Sequence, residues 1–147
     1  MRRTVPLLNI IGLRLVAVAL SLCAGVATAD VVVVVSAKSP VTPLSKNQIV
    51  DIFLGKTSHF PDGSQVVPID QGEGSAARDE FYTGFASKSA AQLKAYWSKI
   101  IFTGRGQPPR EVANGIEVKK FIAANPAAIG YIERSLVDGS VKVVLSQ

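Results

Sequence analysis

The stretch Val66-Val67-Pro68-Ile69-Asp70-Gln71-Gly72-Glu73-Gly74-Ser75-Ala76-Ala77-Arg78-Asp79-Glu80-Phe81 decides how this chain is read. A short apolar run, Val66, Val67 and Ile69, passes through two glycines into a helix-like pattern. A strand that turns through glycines into a helix N-terminus is a ready-made oxyanion site. The amides of the first helical turn have no intrahelical acceptor, the helix dipole adds partial positive charge, and Gly74 allows close approach to the backbone. Ser75 is placed to cap that helix and to offer its hydroxyl to the same ligand.

Outward from this stretch, the chain alternates strand and helix signals. Val31 to Val35 is an unbroken β-branched run, as expected of a strand covered on both faces. Ser45 with Gln48 forms a capping-box pattern ahead of Ile49, Ile52 and Phe53, and Gly55 ends that helix. Pro61-Asp62-Gly63 is a turn by its chemistry. Ala77, Phe81 and Phe85 form the apolar stripe of the helix opened by Ser75. Ser89 and Gln92 make a second capping-box pair before Leu93, Tyr96, Trp97 and Ile100, an aromatic stripe that reads as core. Gly104 to Pro109 reads as an irregular loop. Asn114 caps a helix through Val118, Phe121 and Ile122 that stops at Asn125-Pro126. Strands near Ala128 to Ile132 and Val141 to Leu145 follow, with Asp138-Gly139 as the turn between them. This order implies an α/β domain with a mixed, mostly parallel sheet of about four or five strands and helices on both faces. Ligands in such sheets sit beyond the carboxyl ends of strands, where the Gly72 to Arg78 turn lies.

Residues 1–29 read as a secretory signal: Arg2 and Arg3, an apolar run from Leu15 to Val26, and Ala27-Thr28-Ala29 before Asp30. The run is shorter than the roughly 20 apolar residues that span a bilayer. Residues 30–147 are then one exported, soluble, periplasmic domain. Cys23, the one cysteine of the chain, lies in the leader, so the mature part has no disulfide. Loss of Arg2, Arg3 and Arg14 takes the 16 basic side chains to 13 against 11 acidic, a balance of +2. Lysines and arginines are scattered without an aromatic-rich basic stripe, which argues against nucleic acid as a partner.

The residues Leu44-Ser45, Ile52-Phe53-Leu54-Gly55-Lys56, Glu73-Gly74-Ser75 with Phe81, and Asn125-Pro126 with Ile129-Gly130-Tyr131-Ile132 resemble, in order and spacing, one lobe of the periplasmic phosphate-binding proteins of ABC transporters. The resemblance covers nearly all of residues 30–147 and implies the fold of a single lobe of a type II periplasmic binding protein. In that family two lobes clamp phosphate between helix N-termini. The lobe resembling this chain supplies an arginine, an acidic residue and a Gly-Ser-Gly-Thr turn. By position, Glu73 falls on the acidic residue, Gly74 and Ser75 on the first Gly-Ser, Ala76 and Ala77 on the Gly-Thr, and Gln71 on the arginine. Gln71 is no cation, and Ala76-Ala77 removes one hydroxyl. Arg78 either supplies the missing charge or points into solvent. Glu73 is either a selectivity device or a solvated turn residue. As a selectivity device, its carboxylate accepts a hydrogen bond from protonated phosphate and repels sulfate, which carries no proton at neutral pH.

The expected ligand-binding set is therefore Gln71, Glu73, Gly74, Ser75, Ala76, Ala77 and Arg78, with no catalytic residue, metal or cofactor. Gly72-Glu73-Gly74-Ser75-Ala76-Ala77 also fits a dinucleotide pattern, but Gln92 to Phe102 contains no acidic residue for the ribose. Ser75 lacks a nucleophile elbow, and His59, the one histidine, lies in a separate loop. The leading expectation is a non-enzymatic solute-binding domain for phosphate or a similar oxyanion, related to phosphate ABC transport, with an ABC transporter among its candidate partners. A homodimer or a protein partner would supply the second wall that the family's other lobe provides. The alternative is a protein-interaction or sensor module that kept the lobe fold and lost the ligand.

Overall fold

The computed structural model describes residues 30–41 and 43–146; the expected signal segment, residues 1–29, lies outside the described residues. Five strands form one sheet, β1 (Val31–Ser36), β2 (Val67–Gln71), β3 (Arg110–Val112), β4 (Ala128–Glu133) and β5 (Val141–Ser146), in the order β3-β2-β4-β1-β5. β2 pairs in parallel with β3 and β4, whereas β1 pairs antiparallel with β4 and β5. Four strands therefore point the same way and β1 alone runs against them, so the sheet is mixed with a parallel core.

The unbroken valine run of β1 is explained by its two faces. Val31, Val33 and Val35 join a core layer with Phe53, Phe81, Tyr82, Phe85 and Trp97, while Val32 and Val34 join a second layer with Ile69, Val118 and Ile122. The first layer is supplied by α1 (Lys46–Phe53), α2 (Ala76–Ala86) and α3 (Ala90–Phe102), the second by α4 (Gly115–Ala124). Period-2 alternation sends successive side chains of one strand to opposite layers, so both faces demand apolar residues. Both expected capping boxes form, Ser45 with Gln48 and Ser89 with Gln92. Each satisfies two orphan donors at a helix start.

The sequence reading misses β3, because three residues after Pro108-Pro109 are too few to show alternation. Its ladder with β2 pairs Ile69 with Arg110 and Gln71 with Val112. Gly130 is fixed by packing: a Cβ there would lie 2.5 Å from Ile122 Cδ1 and 2.6 Å from Val118 Cγ1. The bare backbone lets α4 lie close against β4. Among the described residues no helix is long and apolar enough to cross a membrane.

Candidate anion-binding site

β2 ends at Gln71, the chain turns through Gly72 to Gly74, and α2 begins at Ala76. The turn is closed by the Ser75 amide donating to the Gly72 carbonyl at 3.1 Å, and the Gly72 amide donates to the Val112 carbonyl of β3 at 3.1 Å. Gly74 has φ of +89°, a left-handed conformation that any side chain would strain. Ser75 is the N-cap, its Oγ accepting from the Arg78 amide at 3.3 Å. Intrahelical bonding begins one turn in, which leaves the amides of Ala76 and Ala77 aimed out of the helix start. The helix dipole adds to them.

The side chains around this turn are directed inward. Ser75 Oγ donates to Gln71 Oε1 at 2.9 Å, and Gln71 Nε2 donates to the Tyr131 carbonyl at 3.1 Å. Gln71 is fully buried, so at the arginine position of the resemblance stands an amide that braces Ser75 from below. The Arg78 side chain is 13% exposed and so does not point into solvent. Its guanidinium donates to the Gln71 carbonyl at 3.1 Å and to Glu111 Oε1 at 2.6 Å, lies 4.0 Å from Asp70 Oδ2, and covers the Tyr82 ring at 5.9 Å. Glu73 and Ala76 are exposed and Ala77 is buried.

Beneath the turn lies a network that sequence reasoning missed. Asp70 is buried and accepts from the Tyr131 hydroxyl, from the Tyr82 hydroxyl at 2.7 Å and from the Gln71 amide at 2.9 Å. Burial pushes its carboxyl above the usual range, against the pull of both tyrosine hydroxyls, Arg78 and the Gln71 amide. Burial also opposes the Arg78 charge, but Asp70 and Glu111 outweigh it and raise its pKa. Both tyrosines are pushed up, by burial first and by the Asp70 charge second, and so remain hydrogen-bond donors. An aspartate at the end of an apolar strand and a tyrosine in Ile129-Gly130-Tyr131 were the available signals. Their pairing across 61 positions was not legible.

A cavity of about 130 Å³ opens beside the turn, lined among others by Glu73, Gly74, Arg78, Asp79, Lys94, Trp97 and Glu111. Its three carboxylates outnumber its two cations, and Arg78 is already engaged with Glu111. The indole N–H of Trp97 is buried without an acceptor among the described residues. His59 stays apart in an exposed turn, its Nδ1 3.0 Å from Ser58 Oγ. No group of three or more histidine, cysteine or acidic side chains suited to a metal ion occurs among the described residues.

No family model matches the chain, and no curated protein sequence matches it. Solved structures do. A protein of Clostridium perfringens, described as a phosphate ABC transporter substrate-binding protein with bound phosphate, superposes with a TM-score of 0.60 at 26% identity, over 78% of this chain and 43% of its own. An ABC-type phosphate transport receptor of Vibrio cholerae gives a TM-score of 0.61 at 20% identity, over 78% and 44%. PstS of Borrelia burgdorferi gives 0.51 at 15%, over 78% and 46%. The chain spans less than half the length of these proteins and has the fold of one lobe of a phosphate ABC transporter substrate-binding protein.

Proposed function

We propose that this protein is an exported, non-enzymatic solute-binding lobe that holds phosphate or a similar oxyanion at the start of α2. The observation that carries this reading is the Gly74 turn, with φ of +89°, which makes Ser75 the N-cap at the carboxyl end of β2 and leaves the amide of the exposed Ala76 without an intrahelical acceptor. The similarity to a lobe whose Clostridium perfringens counterpart was solved with phosphate supports it. Ser75 Oγ can turn its proton from Gln71 to a bound oxygen at the cost of one hydrogen bond. Glu73, exposed beside the turn, accepts from protonated phosphate and disfavours sulfate.

An open lobe leaves the anion hydrated, and Glu73, Asp79 and Glu111 oppose its charge. Affinity is accordingly weak, with Kd on the order of 1 mM, or about 4 kcal/mol of binding free energy. Amide NMR spectra recorded during phosphate and sulfate titrations test this. Saturable shifts at Gly74 to Arg78 are expected with phosphate, weakened several-fold by Ser75→Ala. Glu73→Ala is expected to erase the preference over sulfate. Unchanged affinity in both variants would place the anion elsewhere.

A second reading, a protein-interaction module that lost the ligand, is favoured by the end of α3. There Phe102 is 93% exposed and Ile101 56%. Isolated apolar side chains are common on surfaces, but two adjacent ones are a contact candidate. Capture of a stable periplasmic partner by the native protein and not by Phe102→Ser, with no phosphate response, would favour it.

A further inference from the structure

From Phe81 to Arg110 the chain has five basic side chains, Lys88, Lys94, Lys99, Arg105 and Arg110, and no acidic one. The rest of residues 30–147 is net acidic, so positive charge is gathered on α3 and the segments that flank it. None of the five forms an ion pair among the described residues, although Lys56, Arg78, Lys119, Lys120 and Arg134 all do. The exposed side of α3 is uncharged along its middle. Ala91, Ala95, Ser98 and Phe102 recur at i, i+4, i+7 and i+11, a line opposite the buried Leu93 and Trp97, and Lys94 and Lys99 flank it on either side. Ser98 Oγ donates to the Lys94 carbonyl at 2.9 Å, so the hydroxyl in this line is satisfied within the helix. The line ends at Phe102, 93% exposed, beside Ile101. That end is fixed by a Schellman closure: with Gly104 at φ of +68°, its amide donates to the Ile101 carbonyl and the Arg105 amide to the Ile100 carbonyl, each at 3.1 Å. Phe102 is therefore displayed by an ordered helix end, with Lys99 one turn behind it and Arg105 just beyond.

We infer that the outer face of α3 is a docking surface for an anionic lipid bilayer, with Phe102 and Ile101 set among the headgroups. This inference does not rest on the anion site at α2. Charge complementarity selects the partner. Unpaired cations around an apolar line are the make-up of a helix that rests in a bilayer interface, where apolar side chains reach the acyl boundary and lysine stems carry their ammonium groups to lipid phosphates. Lys94 borders the cavity that holds Glu73, Asp79 and Glu111, so the contact centres on the other end of α3, at Lys99, Ile101, Phe102 and Arg105. A second copy seated on this face would bring like charges together. A rigid acidic protein is also a poorer fit, because two protruding apolar side chains bury far less than the roughly 800 Å² per partner of a stable protein interface, whereas a fluid bilayer conforms to a protrusion. No described helix is long and apolar enough to cross a membrane, so the contact is peripheral and reversible.

Co-sedimentation with vesicles tests this on residues 30–147, which contain the whole sheet and all of its helices. The vesicles are phosphatidylglycerol and phosphatidylcholine in equal parts, with phosphatidylcholine alone as the control, at millimolar lipid. Binding is expected to the anionic vesicles only, and it should weaken steeply with added salt. Phe102→Ser should lower the partition coefficient about fivefold, and the double variant Lys99→Gln, Arg105→Gln about tenfold or more, both with amide spectral dispersion intact. A lipid bearing a nitroxide should broaden the amides of Ser98 to Arg105 and spare those of α4, on the opposite face of the sheet. No sedimentation with anionic vesicles, equal binding to phosphatidylcholine, an unchanged partition in either variant, or broadening centred on α4 would overturn the assignment. A saturable complex with hexaglutamate in the absence of vesicle binding would overturn it in favour of an acidic protein segment. Phosphate shifts at Gly74 to Arg78 are read without lipid, so failure of either site is seen independently of the other.

Discussion

Asp70 is the residue on which the turn rests. Its carboxylate holds the Tyr82 and Tyr131 hydroxyls and the Gln71 amide and faces Arg78, so it joins β2, α2 and β4 beneath the Ser75 cap. Because burial raises its folded-state pKa above the ordinary 3.8, the folded protein binds this proton more readily than the unfolded chain. Stability then changes with pH in proportion to the protons bound unfolded minus those bound folded, a negative quantity here. The Asp70 contribution therefore increases as pH falls from the raised folded value toward 3.8, and decreases as pH rises through that window. Asp70→Asn removes this dependence while retaining an acceptor for Tyr131. Urea unfolding of both proteins across the window should show the native protein gaining relative to the variant as pH falls. A gap that stays flat or narrows would mean that the tyrosines and Arg78 dominate and the carboxyl is held at or below its ordinary pKa.

At the scale of elements, Gly130 shows what one position on β4 controls. Gly130→Ala drives a methyl into Ile122 and Val118 and forces α4 off the sheet, an overpacking cost of about 1–3 kcal/mol. Denaturant midpoints should fall accordingly, with the α2 amides little changed, because α4 packs on the opposite face from α2. A neutral substitution would mean that α4 can shift without loss. The Ile129-Gly130-Tyr131 signature thus has a physical basis. Gly130 admits α4 on one face, and Tyr131 turns to the other to meet Asp70.

The same scale separates what was legible in the chain from what was not. The β1 valines, the Ser45 and Ser89 capping boxes and the Ser75 cap are local patterns, and local patterns are written in neighbouring residues. The inward direction of Arg78 depends on Glu111, which sits 33 positions away on a strand too short to announce itself. Likewise, nothing local to Gln71 tells that its side chain braces Ser75 and reaches the Tyr131 carbonyl.

For the whole molecule, the distribution of charge decides whether a second copy can complete the α2 site. Glu73, Asp79 and Glu111 are all exposed around its mouth and outnumber Lys94 and the Glu111-bound Arg78, so two copies facing each other there would bring together two mouths of net negative charge. Self-association is therefore opposed at this face, and the proposed site is expected to take phosphate as an open lobe. The expected outcome is a thermal shift that saturates at millimolar phosphate and does not depend on protein concentration. A ligand present at about ten times Kd adds roughly 1.4 kcal/mol to unfolding free energy, so the shift is small and measurable. Repeating the titration over a hundredfold range of protein, with sedimentation to read mass, separates the alternatives. Affinity that tightens together with dimer formation would show that the copies meet despite these carboxylates, and that pairing supplies the wall the single lobe lacks.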